Sequence, residues 1–347
     1  RVKGDRMSEF IGTKRGPWDG EQRPLHLAPM SGVTDLPYRL LAKECGADVT
    51  ITEFTNSTAL TREAATSWRR METHETEVPF IPQIFGGDPG DMATAAEMLA
   101  PAADVIDLNF GCPAPKVTNI CAGAALMGEP DRLVNMVETI VDRVNVPVTA
   151  KMRLGTGGAR ANNSTEICER LEAVGARRLC IHGRTLKQRY AGEADWTSIK
   201  EAVEKVEVPV VANGDVVDAA SAAACLTHTA ASGLMIGRGA IGRPTVFSDI
   251  KVGLGWMKED DLPWVAQHDD WHGLSEIGRA FVSRKWCWDR YIDLSEATVG
   301  IQGKWMQRHA IAFTKGLPGA KKVRTLMHEQ DTTKAMANAI SGFLAGV

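Results

Sequence analysis

No apolar run in this 347-residue chain approaches the ~18 residues that a membrane-spanning helix requires. The first residues contain no apolar core of a secretory signal, which argues against export. The seven cysteines, at 45, 112, 121, 168, 180, 225 and 287, are odd in number and never stand in CxxC spacing. A disulfide framework and a zinc motif are therefore not expected, no metal is expected, and a reducing cytoplasm is the expected setting. Cys45, Cys168, Cys180 and Cys225 lie in apolar or helical contexts and read as small buried hydrophobes. A strong charge of either sign is also lacking, since the formal net charge is −3.

That small net charge is unevenly spread. Residues 271–328 hold ten Lys or Arg against four Asp or Glu, and four of the nine tryptophans: Trp271, Trp286, Trp288 and Trp305. A basic, aromatic-rich segment on an acidic body suggests a polyanion partner. The competing reading is a helical unit with solvated basic faces and a Trp-rich core, and counts alone carry no geometry.

Eight short apolar runs punctuate the first 240 residues: Leu25–Met30, Val49–Phe54, Pro79–Phe85, Val105–Phe110, Val146–Leu154, Arg178–His182, Val208–Ala212 and Gly233–Ile236. Helical segments lie between them, several opened by Asp88, Pro130, Ser164 or Asp218. Strand and helix alternating about every 30 residues predicts an α/β fold of the (β/α)8 TIM-barrel type. The expected division is a tail over 1–20, a barrel over 21–255 and a C-terminal all-α helical bundle over 262–347. Helices are expected over Ser275–Ile292, Ile301–Thr314, Lys321–His328 and Ala335–Leu344.

In such barrels chemistry sits where the strands end. Strand 1 ends in Ala28-Pro29-Met30 and then Ser31, strand 3 carries Gln83, and strand 4 ends in Asn109-Phe110-Gly111-Cys112. Strand 5 carries Lys151, strand 6 ends in His182-Gly183-Arg184, strand 7 in Asn213-Gly214-Asp215, and strand 8 in Gly237-Arg238. Glycine turns after strands 7 and 8 suit a phosphate, with Arg238 adding charge. Lys151 in an apolar strand needs an anion: a Schiff-base substrate, a phosphate, or the electron-rich edge of a flavin. Gln83 could bond a flavin pyrimidine or simply be a satisfied core amide. His182 alone would more often be structural, but its strand-end position favours the site. Gly155–Gly158 lacks a P-loop lysine and reads as a flexible active-site loop.

Ala28–Asp35, Asp107–Val117, Ile181–Thr185, Ala212–Asp215 and Ile236–Arg238, in that order, resemble the tRNA-dihydrouridine synthase family. The likeness runs from about Leu25 to Ile250 and continues more weakly into His309–Arg324, while Gly192–Trp196 is similar to the B-type bacterial branch. The resemblance implies FMN on the open face of the barrel, reduced by NADPH, and hydride passing to C6 of a uracil in tRNA. It implies Cys112 as the proton donor to C5, Asn109 and Arg184 on the substrate, and Lys151 on the flavin. Pro29, Met30, Ser31, Gln83, His182, Asn213, Gly214, Asp215, Gly237 and Arg238 would complete the cofactor site. An ordinary thiol is protonated at neutral pH, which agrees with that role. Pro115 departs from an expected basic residue, and Cys121 is either a bystander or an oxidative partner of Cys112. The alternative is an FMN-barrel oxidoreductase for a free small molecule such as a dihydroorotate or dihydropyrimidine.

Overall fold

A computed structural model describes residues 22–157 and 162–346; the tail over 1–20 and Gly158 lie outside the described residues. The strands are β1 (Leu25–Leu27), β2 (Val49–Thr50), β3 (Thr55–Asn56), β4 (Gln83–Phe85), β5 (Ile106–Phe110), β6 (Val148–Arg153), β7 (Arg178–His182), β8 (Val210–Asn213) and β9 (Gly233–Ile236). All pair in parallel, in the order β2-β1-β9-β8-β7-β6-β5-β4-β3. The second apolar run, expected as one strand, is two: β2 pairs with β1 and β3 with β4. Between them the Thr52 amide still donates to Ile81 O at 3.1 Å, so the pair fills one strand position and the sheet closes as an eight-place barrel.

Parallel strands buried on both faces read as continuous apolar runs, which is why the other seven match the sequence pattern. The covering helices are α1 (Leu36–Glu44), α2 (Ser57–Thr61), α3 (Pro89–Leu99), α4 (Pro130–Arg143), α5 (Ser164–Ala173), α6 (Trp196–Lys205), α7 (Ala219–Thr229) and α8 (Val246–Gly253). Aspartates start four of them. Asp35, Asp88, Asp195 and Asp218 each accept an amide three residues on, satisfying a donor the helix cannot.

Residues after 260 are helical, as expected: α9 (Glu276–Ala297), α10 (Gly303–Thr314), α11 (Ala320–His328) and α12 (Thr333–Leu344). Trp288 is fully buried among them, with its indole N–H bonded to Ala337 O at 3.0 Å. Its truncation to Ala would cost about 3–5 kcal/mol. These helices dock on α1. The Tyr38 and His309 rings stack at 4.8 Å, and Tyr291 donates to Asp35 at 2.9 Å. A single apolar cluster runs from the barrel wall through Leu41 and Cys45 into Cys287, Trp288 and Phe313. No helix among the described residues is long and apolar enough to cross a membrane.

Candidate active site

The strand ends surround a cavity of about 940 Å³. Pro29, Met30, Ser31, Asn109, Cys112, Lys151, His182, Asn213, Gly214, Asp215, Gly237 and Arg238 line it, so most of the residues singled out in the sequence meet there.

Cys112 stands on a loop held at four backbone points. Asn109 Oδ1 accepts the Gly111 and Cys112 amides at 3.1 and 2.9 Å. Arg153 Nε donates to Gly111 O at 2.8 Å, and the Ala124 amide to Cys112 O at 3.1 Å. Phe85, Val117 and Ala122 pack around the thiol. Burial pushes its pKa above the ordinary value, against the pull of Lys116, Arg153 and Lys151, so it stays protonated at neutral pH. Cys121 is turned elsewhere: its Sγ donates to Glu129 at 2.7 Å and it does not line the cavity.

Below the cavity lies a polar layer. The register pairs Gln83 with Asp107, Asp107 with Thr149, and Asn109 with Lys151. Side chains two apart on a strand share a face, so Gln83, Asp107 and Thr149 form one inward layer and Asn109 and Lys151 the next. Gln83 donates to Asp107 at 2.5 Å and accepts from Asn109 at 2.8 Å, and none of it reaches the cavity. Gln83, expected on a cofactor, supports Asn109 from one layer down.

Arg184, expected on the substrate, is buried behind the wall and bonded to Ala191 O, Gly192 O and Asp215 Oδ2, the last at 2.7 Å. Burial pushes the Asp215 carboxyl up, but the bonds from Arg184 and the Ala194 amide, with the charge of Arg238, outweigh it and hold the pKa below the usual range. The Gly192–Trp196 segment sets this turn, since Trp196 Nε1 also bonds Gly214 O at 3.0 Å. Gly214, at φ +123, has no room for a side chain: a Cβ would stand 2.8 Å from that of Ala194 and 3.1 Å from His182.

Lys151 donates to Asn213 Oδ1 at 3.2 Å and makes no ion pair among the described residues. Burial lowers its pKa, with Cys180 and Asp107 opposing. His182 is driven down to about 2 by burial and by Lys151, Arg153, Arg184 and Arg238, so its imidazole is neutral. Sequence reading missed Arg153, Arg189 and Tyr190, which also line the cavity. Arg153 lies two residues after Lys151 on β6, and that spacing was the available signal. Tyr190 receives the guanidiniums of Arg153 and Arg238 on its ring, at 5.5 and 5.0 Å. Lys151, Arg153, Arg189 and Arg238 face the cavity against one carboxylate, Asp215. Such a site suits an anionic ligand. Gly155 and Thr156, expected in a flexible loop, are bonded to Leu186 and Lys187 and stay out of the cavity. No cluster of His, Cys, Asp and Glu able to hold a metal occurs among the described residues.

The family model described as dihydrouridine synthase matches residues 26–341. The chain belongs to the dihydrouridine synthase family. That match covers the barrel, the Cys112 loop and most of the C-terminal helices together. Relatives include a probable tRNA-dihydrouridine synthase of Rhodobacter capsulatus, 41% identical over 75% of this chain and 80% of that protein. The tRNA-dihydrouridine synthase B of Escherichia coli is 42% identical over 65% of this chain and 70% of its own. A probable tRNA-dihydrouridine synthase of Rickettsia conorii is 33% identical over 92% of this chain and 93% of its own. Dihydrouridine synthases are enzymes, and every element of the cavity described above falls inside the matched span.

Proposed function

We propose that this chain is a tRNA-dihydrouridine synthase that reduces uridines of tRNA to 5,6-dihydrouridine with FMN and NADPH, acting in the cytoplasm. The observation that carries the reading is Cys112: a thiol kept protonated by burial and fixed at four backbone points on the wall of a cation-rich cavity.

The cavity fits a phosphate-bearing cofactor on its own chemistry. Lys151 is a cation whose protein partner is a neutral amide, and Gly214 brings bare backbone to the cavity wall at a point where no side chain fits. Arg238 and the backbone of Asn213–Asp215 and Gly237 would hold the phosphate. Pro29, Met30 and Ser31 would wall the ring system, with Lys151 and neutral His182 at its polar edge. Bound FMN, reduced by NADPH, would supply the hydride to uracil C6.

The protein's own part is the proton. Cys112 Sγ–H would give it to C5, leaving a thiolate that solvent reprotonates. Lys116, Arg153 and Lys151 favour that thiolate electrostatically. Asn109 would align the loop and offer its remaining amide hydrogen to the base. A base stacked in RNA cannot reach the floor of this cavity, so the target nucleotide must leave its stack.

The test is direct. Purified protein should yield noncovalent FMN and, with NADPH and unmodified tRNA transcript, form dihydrouridine. A colourless protein that FMN cannot reconstitute would sink the flavin assignment. Turnover of free uracil or orotate without tRNA would restore the small-molecule alternative.

A further inference from the structure

Half of the cations in the basic C-terminal segment are used up inside the protein. Arg284 is bonded to Phe313 O and Lys315 O at 3.1 and 2.7 Å, and Arg290 grips Glu44 at 2.7 and 2.8 Å. Lys285 pairs with Asp289, while Arg279 and Arg324 bond backbone carbonyls. The total positive charge of this segment therefore overstates what it can offer a polyanion.

Helix α10 is different. Its inner face, Met306, His309, Ala310 and Phe313, is buried. Its outer face carries Lys304, Arg308 and Ile311, spaced four and three residues apart, with Lys315 just past the end. That spacing puts the first three on one stripe. All are exposed, and the three cations make no ion pair among the described residues. Ile311 is 42% exposed on the same stripe.

The stripe reaches the rim of the cavity. The Arg308 guanidinium lies on Gly32, so close that any Cβ there would collide with it. Gly32 adopts φ +83 and immediately follows Ser31 on the cavity wall. The turn beneath is firm: Glu53 accepts the Gly32 amide at 2.7 Å, and the Val33 and Thr34 amides both donate to Met30 O at 3.0 Å. Trp305 flanks the guanidinium at 5.7 Å. Arg308 is thus a planar cation braced against the rim, with five N–H donors and no hydrogen-bond partner among the described residues.

We propose that this stripe of α10 is the docking face for the RNA sugar–phosphate backbone, with Arg308 holding the phosphate next to the nucleotide that enters the cavity. The inference rests on the tRNA reading above and goes beyond it by naming the face and the residue. Positive charge without intramolecular partners fits an anionic polymer, and a guanidinium takes phosphate with two parallel bonds. Ile311 gives the stripe an apolar element that can lie against a ribose. Arg308 is a positioning residue: it sets where the backbone lies, and the proton still comes from Cys112.

The test measures binding of unmodified tRNA transcript to the full-length protein across a salt series, with thermal unfolding to verify folding. The Lys304→Gln/Arg308→Gln double variant should bind about 10-fold more weakly, and the salt slope should drop by about one to two. Lys321→Gln/Lys322→Gln removes the same charge from α11 and should weaken binding by less than about 3-fold. Arg308→Lys keeps the charge but not the fork, so it should preserve the salt slope while raising the KM for tRNA about 3-fold or more, with kcat nearly unchanged. Equal losses from the α10 and α11 pairs, or an unaltered α10 variant, would overturn the inference. Should Lys304→Gln/Arg308→Gln fail to fold, Arg308→Lys alone decides through the KM. A wild-type protein that bound no tRNA would instead defeat the functional reading itself.

Discussion

Asn109 holds Cys112 from beneath: its Oδ1 accepts the Cys112 amide at 2.9 Å, while its Nδ2 donates to Gln83 at 2.8 Å. The side chain expected on the substrate thus spends most of its bonding capacity on the loop that carries the thiol. Asn109→Ala would strand two loop amides and Gln83 Oε1, at about 1–3 kcal/mol for each buried group left unpaired. A lower unfolding temperature and a fall of at least ~10-fold in dihydrouridine formation are expected. Full activity in this variant would mean that Arg153 and Ala124 suffice to fix the loop.

Cys112→Ala should retain FMN and still accept electrons from NADPH, because the thiol is read here as a proton donor to substrate. Dihydrouridine formation should fall by at least ~10²-fold, the scale for losing a positioned acid. Cys121→Ala should leave the rate alone, since its thiol faces Glu129. Equal loss in both variants would move the proton donor away from Cys112.

The pH profile carries a sign. In the proposed role Cys112 acts protonated, and burial raises its pKa, so that form persists to higher pH than an ordinary thiol allows. The rate should hold through pH 8 and decline only at more alkaline pH. His182, driven down to about 2 by burial and neighbouring cations, should add no acidic limb near pH 6.5. A single-turnover profile with a midpoint near 6.5 that vanished in His182→Gln would contradict that assignment.

Asp215→Asn should weaken both stability and cofactor retention. Arg184 is almost wholly buried and would lose its carboxylate, while Arg238 would lose a partner at 3.1 Å. Breaking a fully buried pair costs about 3–5 kcal/mol; Asp215 is partly exposed, so about 2 kcal/mol is expected. Chemical denaturation of the variant and of wild type, each with and without added FMN, would measure both effects.

Most of the barrel was legible because parallel strands buried on two faces must be apolar from end to end. The break in the second strand was not: Thr52 and Glu53 interrupt the apolar run, but sequence alone does not show that Glu53 turns to the Gly32 amide where pairing changes hands. Strand ends located Cys112, Lys151 and the glycine turns. They could not tell which layer a side chain occupies, and Gln83 sits one layer below Asn109. A strand-end arginine looks alike in sequence whether it faces ligand or a carboxylate, and only the fold shows Arg184 paired with Asp215. The basic count was real, but only the fold shows that Arg284 and Arg290 are internal fasteners and that Lys304 and Arg308 are not.

The shared core between α1 and the C-terminal helices bears on how this protein can be cut. Tyr38, Leu41 and Cys45 on one side and His309, Phe313 and Cys287 on the other form one interior, with Cys45 and Cys287 sulfurs 3.8 Å apart. A chain stopped after residue 261 would not be a barrel minus an accessory. It would present a raw hydrophobic face on α1, and its expected fate is aggregation or cooperative melting. Grafting these helices onto another barrel would likewise require transplanting α1 with them. The C-terminal helices and the barrel share one core, so they are expected to unfold as one thermodynamic unit.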